Sequence, residues 1–290
     1  MKRAAAFIEL LRPHQWVKNV FVLVGLLFGH AWRDPSLVLA VVGATAAFCL
    51  ASGAVYAFND ARDAARDREH PDKRRRPVAR GAVGPGEAVA LSAFAAAAAL
   101  VLAAAVGWRV AAIVVAYLGI SAAYSLGLKH VPVADVAIIA AGFMLRLLAG
   151  TAGVGIEPSN WLLACGFLLT LFLGFAKRRA ELERLADDAG RHRAVLDAYS
   201  IGFLDRAIQL CVLGMVAAYA WYTLAPETAQ LHGTGNLVLT LPWVLLGTAR
   251  YLYRLRSRGG GGDPALEVVR DPLLAIAILG WLATVLWLIG

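Results

Sequence analysis

Uninterrupted apolar stretches about 20 residues long recur along most of this chain, and no other feature limits its fold as strongly. Wound as a helix, about 20 such residues cross a hydrocarbon core of roughly 30 Å. Backbone polar groups in lipid must bond within their own segment, so the stretches are read as helices and not as open strands. Composition agrees. Of 290 residues, 60% are hydrophobic and 17% charged, whereas a soluble domain is about a quarter charged and under half apolar. A soluble globular domain is excluded, and no polar region is long enough to fold separately, so residues 1–290 are expected to form one all-α transmembrane domain.

Nine spans are expected, at about 15–31, 36–58, 86–107, 109–127, 133–153, 160–178, 202–225, 237–254 and 272–289. Pro132, Pro158, Pro226 and Pro272 fall near their ends, where helix breaks cost least. Arg12, Pro13, His14, Gln15 and Lys18 interrupt the start too early for a cleaved leader, so the first span is expected to stay as an anchor. Cys49, Cys165 and Cys211 sit singly in apolar runs and read as small buried hydrophobes. Trp161, Trp221, Trp243, Trp281 and Trp287 suit interfacial or lipid-facing positions. Gly259 to Gly262 reads as a linker, since no strand–helix context makes it a phosphate loop.

Orientation follows from the cations. With the N-terminus inside, 25 of the 28 Lys and Arg fall on the inner side; Arg33 and Arg109 lie outside and Arg146 within a span. Such a bias places the N-terminus in the cytoplasm and, after nine spans, the C-terminus outside. The net charge of +8 mostly expresses this bias. Basic inner loops suit anionic lipid headgroups, and no polar domain carries the charge toward a nucleic acid.

The second span ends in Phe58-Asn59-Asp60-Ala61-Arg62-Asp63-Ala64-Ala65-Arg66-Asp67. If the helix continues, a turn of about 100° per residue puts Asn59, Asp60, Asp63 and Asp67 on one face. Like charges so placed repel, and hard oxygen ligands in this pattern suit Mg²⁺, which takes one or two carboxylates and completes its shell with water and phosphate. The bland alternative is a solvated helix end neutralised by Arg62 and Arg66. A position at the membrane boundary favours the functional reading. A basic run follows, Arg68 to Arg76. It serves as a headgroup-facing loop, and Lys73 and Arg76 are also placed to hold diphosphate oxygens.

This pattern, at the end of the second of nine spans, resembles the UbiA superfamily of intramembrane prenyltransferases. Four segments are similar to its decaprenyl-phosphate phosphoribosyltransferase branch: Arg12-Pro13-His14-Gln15-Trp16-Val17-Lys18-Asn19; Asn59 through Pro77; Tyr124-Ser125-Leu126-Gly127-Leu128-Lys129 with Asp135; and Ala176-Lys177-Arg178-Arg179-Ala180-Glu181-Leu182. The similarity weakens after about residue 225. The resemblance implies a nine-helix bundle with a cytoplasmic-side active site, built from segments at about 59–85 and 177–201, and a lateral opening to lipid. It implies phosphoribosyl diphosphate as donor, polyprenyl phosphate as acceptor, Mg²⁺ as cofactor, and a product used in arabinan precursors of the cell envelope. The plasma membrane is the expected location; monomer and homo-oligomer both stay open.

Many superfamily members carry a second acidic pair after the sixth span. Here that place reads Lys177-Arg178-Arg179-Ala180-Glu181, so one expected carboxylate is a cation. Lys177 and Glu181, four apart, share a helix face; the alternative to a site role is a weak surface pair. The swap fits a donor with an additional 5-phosphate. Asp60, Asp63, Asp67 and Lys177 are therefore the expected catalytic residues, and Asn59, Asp60, Asp63, Asp67 and Glu181 the expected metal set. Lys18, Asn19, Lys73, Arg76, Tyr124, Lys129, Asp135, Lys177 and Arg178 are expected to hold the donor and its phosphates. Gln15 and Arg146 are assigned to the acceptor phosphate; for Arg146, pairing with a carbonyl or a buried acid is the equal alternative. His70 and His192 lack metal-ligand spacing and read as solvated, while His192, Arg193 and Tyr199 belong to a loop poised to cover the donor. The main rival is a prenyltransferase moving a prenyl group from a prenyl diphosphate to an aromatic or other acceptor. A transporter fits less well, because its charges would lie at mid-membrane in repeated halves.

Overall fold

A computed structural model describes residues 2–71, 73–186, 198–257, 267–268 and 270–290, and among these every regular element is a helix. His192, Arg193 and the Gly259 to Gly262 run lie outside the described residues. The helices are α1 (Lys2–Leu11), α2 (Val20–Phe28), α3 (Pro35–Arg62), α4 (Ala64–Glu69), α5 (Pro85–Val106), α6 (Trp108–Leu126), α7 (Ala134–Ala149), α8 (Asn160–Ala186), α9 (Ile201–Leu224), α10 (Pro226–His232), α11 (Leu241–Arg256) and α12 (Pro272–Ile289).

Seven segments among the described residues are long and apolar enough to cross a membrane: α3, α5, α6, Ala134–Val154, Asn160–Glu183, α9 and α12. The remaining two expected spans are shorter helices. At 15–31, Pro13–Asn19 forms a 3₁₀ turn, entered through a left-handed Arg12 (φ 50°), and only Val20–Phe28 is α-helical. At 237–254, a 3₁₀ turn Asn236–Thr240 precedes α11. The 16 residues of α11 rise only about 24 Å, short of a full hydrocarbon core.

The chain divides into two compact units, residues 1–128 with 141–158, and residues 129–140 with 159–290. In the first unit, Asp34 caps α3 by accepting from the Ser36 amide at 2.8 Å. Small side chains line the contact between α3 (Ala44, Ala47, Ala51, Ala54) and α5 (Ala88, Ser92, Ala95, Ala99, Ala103), all buried at three- and four-residue spacing. In lipid, helices gain little from apolar burial, so this close backbone approach is what holds them together. The Ser92 hydroxyl donates to the Ala54 carbonyl at 2.8 Å across it. Glycines do the same work between α2 and the end of α7, where a Cβ on Gly150 would sit 1.7 Å from the Val22 carbonyl oxygen.

In the second unit, the first residues of α7 pack with α8, α9, α11 and α12 around Val136, Phe172, Phe175, Leu204, Ile208, Tyr251, Leu255 and Leu274. Gly174 admits Val136, whose Cγ1 would lie 2.6 Å from an added Cβ. Arg179 ties α8 to Asp205 of α9 at 2.6 Å and to the Leu255 carbonyl of α11 at 3.2 Å. The three cysteines are free thiols. Trp221 and Trp287 are exposed as expected, whereas Trp281 donates to Tyr219 at 2.7 Å and Trp243 to Thr284 at 3.1 Å.

Candidate active site

The acidic motif sits where α3 ends. The expected unbroken helix does not form: Asp63 (φ −89°, ψ 5°) closes α3 and α4 starts at Ala64. Two backbone bonds, Asp63 N to Asn59 O and Asp67 N to Asp63 O, both 2.9 Å, carry the hydrogen-bond ladder across the break. Asp60 and Asp67 therefore still converge, and both are buried (1% and 2% exposed). Asn59 diverges from them. Its Oδ1 accepts from the Ser125 hydroxyl of α6 at 2.5 Å, and Arg62 donates to the Ser125 carbonyl beside it. Asp63 is half-buried at the junction.

Two guanidinium groups meet the buried acids. Arg76 Nη1 donates to Asp60 Oδ1 at 3.2 Å and to Asp67 Oδ2 at 2.7 Å, so one nitrogen bridges both carboxylates. Arg12 Nη2 donates to the same Asp60 oxygen at 2.5 Å. Arg12 reaches it from the turn after α1, stacked 4.8 Å over the Tyr56 ring. Its left-handed backbone (φ 50°) costs a non-glycine residue about 1–3 kcal/mol, a strain that clusters at functional sites. Arg76 is held by the folded loop after α4: its amide donates to Lys73 O at 2.9 Å, and Val78 and Val83 are buried beneath. Arg76 is thus aimed at the acids, while Arg68, Arg74 and Arg75 of the same run stay exposed. Lys73 lies half-buried there, and its amide approaches His70 Nδ1 at 3.4 Å.

The other oxygen of Asp60, Oδ2, is buried and accepts no hydrogen bond among the described residues. Burying such an atom is costly without a partner. An oxygen of this kind beside a second carboxylate fits a divalent cation that takes one or two carboxylates and leaves its other positions to water and phosphate. Among the described residues no three His, Cys, Asp or Glu side chains are grouped to enclose a metal alone. Asp60, Asp63 and Asp67, the expected acids of the first unit, are accordingly not grouped in this way.

Several other expected contacts are occupied differently. Asn19 is buried (1% exposed); its amide donates to Cys49 Sγ at 3.1 Å and its Oδ1 accepts from Arg146 Nε at 2.7 Å. Arg146, buried in α7, also donates to the Gly142 carbonyl at 2.9 Å and to Tyr117 at 3.1 Å, with the Tyr117 ring 4.6 Å from its guanidinium. The carbonyl-pairing alternative for Arg146 is the one observed. Gln15 and Lys18 are half-buried on the 3₁₀ turn, and Tyr124 is half-buried near the end of α6.

In the second unit, Arg178 (1% exposed) is enclosed. Its Nε lies 2.6 Å from Asp135 Oδ2, and Nη1 pairs with Glu181. Tyr199 donates to Asp135 Oδ1 at 2.6 Å and accepts from the Val133 amide at 2.6 Å, holding Val133 at φ 66°, a strained angle for a β-branched residue. Burial, with the Asp135 carboxylate beside it, pushes the Tyr199 hydroxyl up to about 12. Arg178, Asp135 and Glu181 thus satisfy one another, and none presents a free charge to a phosphate or metal. The reason is that Arg178, not Lys177, faces inward on α8. Lys177 is exposed and has no hydrogen-bond or ion-pair partner among the described residues. Lys129 is half-buried before α7.

Sequence pattern alone does not pair Arg12 with Asp60 or Tyr199 with Asp135. Arg12 is a flanking cation at residue 12 with its acid at residue 60. The available signal is the acid itself, since a carboxylate entering the membrane needs a counter-charge.

Residues 19–266 match the model of the UbiA prenyltransferase family. The chain belongs to this family. As a UbiA protein with seven membrane-length segments among its described residues, it is an integral membrane protein. It is 33% identical over 283 residues, 96% of the chain and 85% of the relative, to decaprenyl-phosphate phosphoribosyltransferase of Corynebacterium glutamicum. The enzyme of that name from Mycobacterium tuberculosis is 33% identical over 286 residues, covering 97% of this chain and 93% of the relative. The fold of this chain is similar to that of a UbiA homolog from Archaeoglobus fulgidus bound to GPP and Mg²⁺, with a TM-score of 0.73, 20% identity, and coverage of 98% of this chain and 99% of the other.

Proposed function

We propose that this UbiA-family protein transfers the 5-phosphoribosyl group of phosphoribosyl diphosphate to a polyprenyl phosphate of decaprenyl type, releasing diphosphate, as a step toward arabinan precursors of the cell envelope. The single observation carrying this reading is 33% identity, across nearly the whole chain, to enzymes named for that transfer.

Displacing diphosphate from a sugar carbon builds negative charge on the leaving group, and the site has to stabilise it. Asp60 and Asp67 are the residues that would hold Mg²⁺, with Asp63 beside them and the open Oδ2 of Asp60 as the first oxygen offered. A bound Mg²⁺ supplies Lewis-acid stabilisation of diphosphate oxygens. Arg76 and Lys73 neutralise the oxygens left over, Arg76 through a planar fork suited to phosphate. Lys18 and Tyr124 are the donor contacts proposed on the first unit, and Lys129 and Lys177 those proposed on the second, Lys177 for the 5-phosphate; Gln15 serves the acceptor phosphate. That phosphate is already anionic near neutral pH, so no general base is required, and none of the residues assigned here acts as one. Asn59 is bonded to Ser125, Asn19 to Arg146, and Arg178 to Asp135 and Glu181, so these residues shape the walls of their own units. The apolar tail of the acceptor stays in lipid. The protein lies in the plasma membrane with its N-terminus in the cytoplasm, the hand for which a nine-span topology puts 25 of the 28 Lys and Arg on the inner side.

The test is incubation of purified protein with labelled phosphoribosyl diphosphate, Mg²⁺ and polyprenyl phosphates of several lengths. Label appearing in the lipid fraction is the expected result. Absence of transfer, together with transfer from a labelled prenyl diphosphate to an aromatic acceptor, overturns it.

A further inference from the structure

The two acids and two guanidinium groups at the end of α3 form a neutral set without any metal. Arg12 reaches Asp60 at 2.5 Å, and Arg76 reaches Asp60 at 3.2 Å and Asp67 at 2.7 Å. All four lie within the first unit. The carboxylates are almost wholly buried (1% and 3% exposed side chains), while the arginines keep an opening to solvent (20% and 28%). A divalent cation arriving alone would therefore enter a site whose negative charge is already matched, at low local dielectric, with two positive charges at hydrogen-bond distance from its ligands. The repulsion is strong at such range. An anionic diphosphate arriving alone would face the two buried carboxylates. Were both to arrive together, the carboxylates would hold the cation and the guanidinium groups would turn to the diphosphate, so that each incoming charge meets its opposite and neither is left facing its own sign. The planar fork of arginine suits the phosphate oxygens.

We propose that Arg12 and Arg76 are the resident counter-cations of Asp60 and Asp67, and that they couple entry of the divalent cation to entry of the diphosphate. The inference rests on the reading of the acid pair as a metal–diphosphate site. Arg12 thereby becomes a site residue, and its left-handed backbone (φ 50°) with Tyr56 stacked beneath explains how a cation in the turn after α1 is aimed at an acid in α3. The coupling is reciprocal, as any linkage between two bound species must be.

The experiment titrates Mn²⁺ against detergent-purified protein in an equilibrium dialysis cell, with and without inorganic diphosphate. Electron paramagnetic resonance of acid-released ion reads the excess Mn²⁺ held on the protein side, to which the solution Mn²⁺–diphosphate complex does not contribute. In the wild type, Mn²⁺ alone binds weakly and diphosphate tightens it by about 5- to 150-fold, the usual span of such couplings. In R12Q, Mn²⁺ alone binds tighter by a similar factor and diphosphate adds little. R12K, which keeps the charge, behaves as wild type. A simple phosphate-binding role, or a purely structural one, leaves Mn²⁺-alone affinity unchanged in R12Q, and that result overturns the proposal. R76Q, read the same way, decides the matter if R12Q does not fold. Failure of Mn²⁺ to bind the wild type even with diphosphate sinks the metal reading itself, and the inference with it.

Discussion

Replacing Arg178 by Met separates a structural cation from a phosphate ligand. Sequence pattern places Arg178 beside Lys177 among the donor-binding cations, but the structure buries it against Asp135 (2.6 Å) and Glu181. Met keeps much of the side-chain volume and removes the charge, leaving Asp135 (0% exposed) as an uncompensated buried carboxylate. Breaking a buried pair in this way costs about 3–5 kcal/mol. With roughly 2–4 °C of Tm per kcal/mol for a unit of this size, the expected loss is on the order of 10 °C. The assay is thermal unfolding of purified protein followed by tryptophan fluorescence. Because the cost comes from the orphaned charge, a second change should restore much of it: D135N/R178M keeps an acceptor for Tyr199 and removes the charge. The reasoning is refuted if R178M unfolds at the wild-type temperature while its KM for phosphoribosyl diphosphate rises steeply, since Arg178 would then be serving the donor and not Asp135.

Gly150→Ala places a methyl group 1.7 Å from the Val22 carbonyl oxygen; the expected outcome is loss of monodisperse protein on size-exclusion chromatography, and a normal elution profile with normal Tm contradicts it. Lys177→Met should raise KM for phosphoribosyl diphosphate about tenfold or more, the loss of one charged phosphate contact of about 1.5–3 kcal/mol, while KM for the lipid acceptor stays within about twofold; equal changes in both argue against a 5-phosphate role. Tyr199→Phe tests the hydroxyl held at about 12. Its folded value is raised above the ordinary value of about 10, so its contribution is whole below pH 10 and is lost as pH climbs toward 12. The Tm difference between wild type and Y199F should be flat up to about pH 10 and shrink above it; a difference independent of pH across that window removes the assignment.

The helical membrane fold is legible because hydropathy over about 20 residues is a direct record of the solvent. Seven expected spans appear as continuous membrane-length segments for that reason. The first and eighth do not, since the 3₁₀ turns Pro13–Asn19 and Asn236–Thr240 occupy the starts of segments that hydropathy alone leaves whole. Within the site, Asp60 and Asp67 are legible from helical spacing, and they converge even though the helix breaks at Asp63. Partners distant in sequence are not legible. Asn59 shares the acids' spacing yet turns to Ser125, and Glu181 shares the face of Lys177 yet pairs with Arg178. Spacing tells which side of a helix a residue occupies; which of two adjacent cations is buried depends on what packs there, here Asp135 and Tyr199.

The most direct measurement is Mg²⁺-dependent diphosphate release from phosphoribosyl diphosphate and polyprenyl phosphate by wild type and by Asp67→Asn. Asn keeps the shape of the side chain that meets Arg76 at 2.7 Å but withdraws the charge a divalent cation requires. Wild type should release one diphosphate per lipid product, and D67N should fall by about 100-fold or more, with an unfolding temperature near that of wild type. A D67N protein that turns over at the wild-type rate would mean that the carboxylates at the end of α3 do not serve the leaving group.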